Sequence, residues 1–186
     1  NFAGASVDLP DTLTLQAPLT IENITNINPD EDTLTTLVAG DYAFAMVDGG
    51  SFGFAEIRGS DLTFDEQLPG GGFVGDGATV TFANVGRSDY YYDLPNLSGF
   101  ETVVLDGAYL EADGGEAFQG QLDDAAEVVL QDGGLTVNRA AEIETLSGSG
   151  ELRIADSAAL KVTGSAFGSF RLAGFEGTEL TGSGLS

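Results

Sequence analysis

Thirty Asp and Glu side chains stand against six Lys and Arg, and the 186 residues include no His, Cys or Trp. Carboxylates are therefore the only abundant chemically versatile groups. Nucleophilic catalysis of the Ser-His-Asp or Cys-His kind is excluded in its usual form, because the base is missing. Zinc, haem and iron–sulfur centres lack their customary ligands. Gly70-Gly71-Gly72 is not followed by the Gly-Lys-Ser/Thr of a phosphate-binding loop. Two carboxylates suffice to cleave a glycosidic bond, but thirty acids make some pair inevitable, and no Trp is present to stack a sugar. A glycan-cleaving enzyme is the weakest of the readings considered, and the chain is expected not to be an enzyme.

Calcium is the cation that such a chain suits, since it takes six to eight oxygen ligands from Asp, Glu and backbone carbonyls. The acidic clusters are Asp30-Glu31-Asp32, Asp65-Glu66 and Asp123-Asp124. The first is the strongest candidate, because three adjacent acids repel one another unless a cation sits among them. Asp123 and Asp124 are the second candidate site; no other cofactor is expected. None of the clusters fits an EF-hand loop. Gly71 to Asp76 resembles the Gly-Gly-x-Gly-x-Asp calcium repeat of RTX proteins, offset by one residue and without tandem copies. The alternative is that all these acids are solvated turn residues. Tyr90-Tyr91-Tyr92 is the candidate ligand-contact patch, for example toward surface glycans. Against that stands the commoner fate of such a run, partial burial with the hydroxyls at the rim.

A formal charge of −24 also bears on partners. Nucleic acid is not expected, because affinity there comes from Lys and Arg neutralising phosphates, and Lys161, Arg58, Arg87, Arg139, Arg153 and Arg171 are scattered. Anionic membrane surfaces are disfavoured for the same reason, and no apolar run reaches membrane-spanning length. High charge and 27 Gly would suit disorder, but a 42% hydrophobic fraction and 12 Phe supply enough apolar surface for a core. The first residue is Asn, and the chain is expected to be exported, with its leader removed.

The elements that must carry these groups are strands. Alternating apolar residues recur at Leu13 and Leu15, Tyr42, Phe44 and Met46, Leu62 and Phe64, Val80 and Phe82, Leu152 and Ile154, Leu160 and Val162, and Phe170 and Leu172. Five Asp-Gly steps, beginning at Asp48, Asp76, Asp106, Asp113 and Asp132, mark turns. The spacing favours one short helix over 138–146, capped by Asn138. Residues 68–77 read as a glycine-rich loop.

In the second half a unit repeats: an apolar strand, an Asp-Gly or Asp-Ser corner, and a second strand. It starts at Val103, at Val128 and at Leu152, steps of 25 and 24 residues. Such a unit cannot bury its apolar face alone and must stack on its neighbours, the signature of a β-solenoid. The expectation is thus all-β, with a β-solenoid-like region over 97–186 and an irregular β-rich region over 1–96. A β-sandwich is the alternative. Pro10, Pro18 and Pro29 break up the first thirty residues, which read as an edge or an extended arm.

This acidic, Lys-poor, Cys-free run of Gly/Thr/Ser-rich strands resembles secreted, self-assembling bacterial cell-surface proteins: surface-layer proteins, appendage subunits and adhesin passengers. The resemblance implies an extracellular structural protein whose main partner is its own copies. Open solenoid ends point the same way. The candidate assembly residues are Leu13, Leu15, Leu19, Ile21, Ile24 and Ile27, which could add a strand to a neighbour's edge. Because like-charged copies repel, assembly is expected to need divalent cations or high salt. The rival reading is a monomeric adhesin or carbohydrate-binding domain.

Overall fold

The computed structural model describes residues 6–7, 9–22, 26–27, 34–47, 51–52, 54–66, 68, 72–87, 91–93, 95–112, 125–156, 158–174 and 179–182. They form seventeen strands and, among the described residues, no helix; in particular no helix is long and apolar enough to cross a membrane. The first strands are β1 (Ser6–Val7), β2 (Thr12–Thr14), β3 (Leu19–Glu22), β4 (Asn26–Ile27), β5 (Thr35–Gly40), β6 (Phe44–Val47) and β7 (Ser51–Phe52). Then come β8 (Phe54–Gly59), β9 (Asp61–Asp65), β10 (Gly72–Ala83), β11 (Tyr92–Asp93), β12 (Asn96–Asp106) and β13 (Tyr109–Ala112). The last are β14 (Glu127–Val137), β15 (Ala141–Ile154), β16 (Ala159–Gly174) and β17 (Glu179–Gly182).

Every strand pairing among these residues is parallel. That is a β-solenoid and removes the sandwich, whose hairpin and Greek-key links produce antiparallel neighbours. The stacking also includes the first half, where β2, β5, β8 and β10 form one ladder and β3, β6, β9 and β10 another. It continues across residue 96, because β10 pairs with β12 from Gly72↔Asn96 to Ala83↔Asp106.

One face shows how the rungs are held. Leu19, Phe44, Leu62, Val80, Val103, Val128, Leu146 and Ala166 succeed one another in register, each on the next strand. Two positions further along, Ile21, Met46, Phe64, Phe82, Leu105, Leu130, Gly148 and Gly168 do the same. These are the alternating apolar positions of the sequence, and from Phe44 to Leu146 all the side chains in both columns are buried. Alternation puts them on one side of the strand, and only the neighbouring rungs can cover them.

The core changes character along its axis. Toward the N-terminal end Phe64 is packed edge-on against Phe44 and Phe73 (centroids 6.3 and 4.9 Å) and stacked on Phe82 (5.8 Å). Toward the C-terminal end the column thins to Leu130, Gly148 and Gly168. Gly148 (φ +96°) and Gly168 (φ +139°) have backbone conformations that side chains resist. An added methyl would overlap the carbonyl oxygens of Leu130 and Gly148, respectively.

Three sequence expectations change. Residues 138–146 are not helical: Ala141–Ile143 belong to β15, stacked on Leu160–Val162 of β16, and burial of Ile143 in the core outweighs two turns of weak helical propensity. Gly72–Val74 of the expected glycine loop are strand, with Phe73 buried between Ile57 and Leu97. The step from Val103 to Val128 is a true register pair, but Val128 stacks on Leu146, and Leu152 on Leu135. The coil there is shorter than the 24-residue spacing suggests.

Candidate functional site

On a third face the inward column is Leu110, Leu135, Leu152 and Leu172, and the outward residues one position earlier are Tyr109, Gly134, Glu151 and Arg171. Strand β11 lies on β13 with Tyr92 opposite Leu110, which brings Tyr91 against Tyr109 (centroids 5.5 Å, planes 85° apart). From there Tyr91 reaches across β14. It passes over Gly134, where a Cβ would lie 2.7 Å from both the Tyr91 hydroxyl and the Tyr109 ring. The hydroxyl donates to Glu151 Oε1 at 3.2 Å. Glu151, only 8% exposed, also accepts from Arg153 Nε and lies 3.5 Å from Arg171 Nη1. The Arg153 guanidinium covers the Tyr91 ring at 4.9 Å.

A buried carboxylate is costly unless paired and hydrogen-bonded, and Glu151 has two guanidinium groups and one phenol. Burial pushes the Tyr91 hydroxyl up to about 12; Arg153 opposes the rise, and the Glu151 carboxylate adds to it. Tyr91 is thus a neutral clasp joining the segment around residue 91 to a strand sixty residues later. Tyr92 is 47% exposed and the Arg171 side chain 82% exposed. The outer surface of the cluster accordingly offers the Arg171 guanidinium, a group that suits a carboxylate-bearing ligand, while Tyr92, in register with Leu110, stands on the other side of its strand from Tyr91.

Of the tyrosine run, the structure describes Tyr91 and Tyr92, and Tyr90 lies outside the described residues. Sequence reasoning missed Tyr109, Gly134, Glu151, Arg153 and Arg171. Their chain separations carry no motif, and only the rung register aligns them.

The candidate calcium residues Asp30, Glu31, Asp32, Asp123 and Asp124 lie outside the described residues. Among the described ones, no group of three or more His, Cys, Asp or Glu is arranged to hold a metal ion. Asp65, next to Glu66, accepts from Asn84 Nδ2 at 2.8 Å.

Of the candidate assembly residues, Leu15 is buried and Leu13, Leu19 and Ile21 pack against the core. Strands β2 and β3 pair on one side with β5 and β6 and, among the described residues, with nothing on the other. They are the first rung of their ladders among the described residues. Ile27 is in β4, between β1 and β7, and Ile24 lies outside the described residues. At the other end β16 pairs with β17 only through Ala159–Val162. Beyond that, Ser165–Gly174 bond to β15 alone among the described residues, and Phe167 and Leu172 are 57% and 60% exposed.

A shallow cleft of about 290 Å³ lies at the corner formed by Val38, Gly40, Asp41, Arg58, Gly59, Val74 and Gly75. Its one base, Arg58, is paired with Glu56.

No protein-family model, curated protein or solved structure matches this chain.

Proposed function

We propose that this chain is a structural subunit of an extracellular assembly, extending head to tail as the first rung of one copy stacks on the last rung of another. The observation that carries the reading is the edge of Ser165–Gly174, open among the described residues, a ten-residue strand segment with Phe167 and Leu172 exposed and Arg171 as its single charge. Such an edge is a template for another strand. Continuing the columns would set Leu19 of the incoming copy against Ala166 and Ile21 against Gly168. The large residues of one end then meet the small residues of the other, the contact is heterologous, and its repetition gives a filament or tube.

Electrostatics opposes the contact. Each copy carries −24, and the Debye length of about 10 Å at 0.1 M salt leaves that repulsion effective at lower ionic strength. Calcium or high salt is therefore part of the proposal. Light scattering and negative-stain microscopy, with calcium and then a chelator, test it. Growth with calcium, reversal by chelator, and loss of growth in Leu19→Asp and Phe167→Lys are expected. Isolated particles at every calcium and salt concentration would overturn the reading.

A second reading, a monomeric adhesin or carbohydrate-binding module, is favoured by the exposed Tyr92, next to Tyr91 of the Tyr91–Glu151 clasp. It predicts glycan binding that Tyr92→Ala weakens, in a particle that stays monomeric at high concentration.

A further inference from the structure

The outward side of the eight-rung face differs from the rest of this acidic surface. Its central column runs from Thr20 to Phe167 and contains no ionisable residue. The middle of the face is made by Thr63, Thr79, Thr81, Thr102, Val104 and Val129, all partly exposed. Two carboxylates stand in the column beside the central one: Asp61, paired with Thr79, and Glu127, which is paired with Thr102 and accepts a hydrogen bond from Ser147 Oγ at 2.7 Å. Glu22, Asp65, Asp106 and Asp132 stand in the marginal column on the other side.

Three properties define what could lie on this face. It is regular: within the rows 61–65, 79–83, 102–105 and 127–131 no register shift breaks the ladder. It is stiff, because Thr and Val are β-branched and hold few χ1 states on a strand. It is small: eight rungs at about 4.8 Å and two columns about 7 Å apart give on the order of 400 Å² with side-chain borders. A stable protein partner needs roughly 800 Å² per side, so a second copy is poorly served, and only Phe167 at one end offers a ring to a sugar. A neutral partner that repeats at the same scale as the rungs fits better. Threonine hydroxyls anchor water at fixed points, and the Thr and Val methyls restrict the orientation of the water between them.

We infer that this face binds the surface of ice. The occupant is a flat, uncharged and periodic lattice of water centred on the column from Thr63 to Val129, with the carboxylates of the flanking columns hydrated at its border.

The test is growth of a single ice crystal, and coarsening of polycrystalline ice, in dilute protein at low salt with chelator, where end-to-end assembly is suppressed. The wild-type chain is expected to facet the crystal and slow coarsening. Thr81→Glu, with unchanged circular dichroism, should need at least tenfold more protein for the same effect. Thr36→Glu, outward on the face formed by β2, β5 and β8, should match wild type. Val104→Glu serves as the second central variant if Thr81→Glu folds poorly. Unaffected ice, equal activity of Thr81→Glu and Thr36→Glu, sedimentation with crystalline cellulose or chitin without any effect on ice, or a dimer that Thr81→Glu dissolves while ice grows normally would each overturn the inference.

Discussion

Replacing Phe64 with Ala should open one part of this molecule and leave the rest closed. Phe64 is fully buried, with ring neighbours Phe73, Phe82 and Phe44 at 4.9, 5.8 and 6.3 Å. Truncating a buried Phe costs about 3–5 kcal/mol, and the lost ring contacts place this site toward the upper end, at about 4–5 kcal/mol. In a solenoid each rung touches only its neighbours, so the loss is felt locally. At 1.4 kcal/mol per factor of ten, amides of β8, β9 and β10 should lose about a thousandfold in hydrogen-exchange protection. Amides of β14 and β15 should lose less than tenfold. Leu130→Ala, at the same position of the column but five strands later in the chain, should invert the pattern at about 2–5 kcal/mol. A uniform loss of protection from β8 to β15, or less than a tenfold loss near residue 64, would refute the view that stability is held rung by rung.

Other consequences follow from single residues. The Tyr91 hydroxyl titrates near 10 when unfolded and about 12 when folded. The folded chain thus holds that proton more tightly, and the stabilisation is complete below pH 10 and is lost between roughly pH 10 and 12. Two units correspond to at most about 2.7 kcal/mol, and partial solvent exposure reduces this to about 1 kcal/mol; denaturant melts across that window in wild type and Tyr91→Phe check it, and a variant with the same pH profile as wild type sinks the argument. Gly134→Leu should expel Tyr91 from its place over β14, and phenolate absorbance should show its titration falling back toward 10. Gly40→Ala, at φ +60° with open space around it, should cost about 1–2 kcal/mol of backbone strain. Gly148→Ala meets the Leu130 carbonyl as well and should cost clearly more in thermal denaturation; equal costs would show that the close approach of β14 and β15 is relaxed in solution.

The inward residues are legible in the amino-acid pattern alone. Phe44 and Met46, Leu62 and Phe64, Val80 and Phe82 alternate in the sequence and alternate in the wall. Stacking in the second half is legible too, because Val103 and Val128 head similar units. The first half hides the same stacking because its coils differ in length: Leu37 lies on Ile57, Ile57 on Phe73, and Phe73 on Leu97, separations of 20, 16 and 24 residues. A fixed-period search fails where loops absorb the difference at little entropic cost. The Tyr91–Glu151 clasp is illegible for a related reason. A sixty-residue separation means contact only after several intervening coils have set the register, and no local propensity records it.

The position of the acids along the coil links the fold to both proposed surfaces. Adjacent rungs lie about 4.8 Å apart, where two like charges cost about 0.9 kcal/mol even at the dielectric of water. One corner column spaces them: Ala83 separates Asp65 from Asp106, and Asn84 donates to Asp65. Asp106 and Asp132 are direct neighbours, so counter-ions should condense there first. Charge kept off the central column of the eight-rung face acts on the two surfaces differently. End-to-end stacking adds new rungs to every corner column and brings further acids into line, so it should depend steeply on salt and calcium. The neutral face between the columns gains no acid on contact with an uncharged lattice, so its binding should vary little over the same range. Opposite salt responses in one preparation would separate the two surfaces, whereas a shared steep dependence would tie both to the ends of the coil.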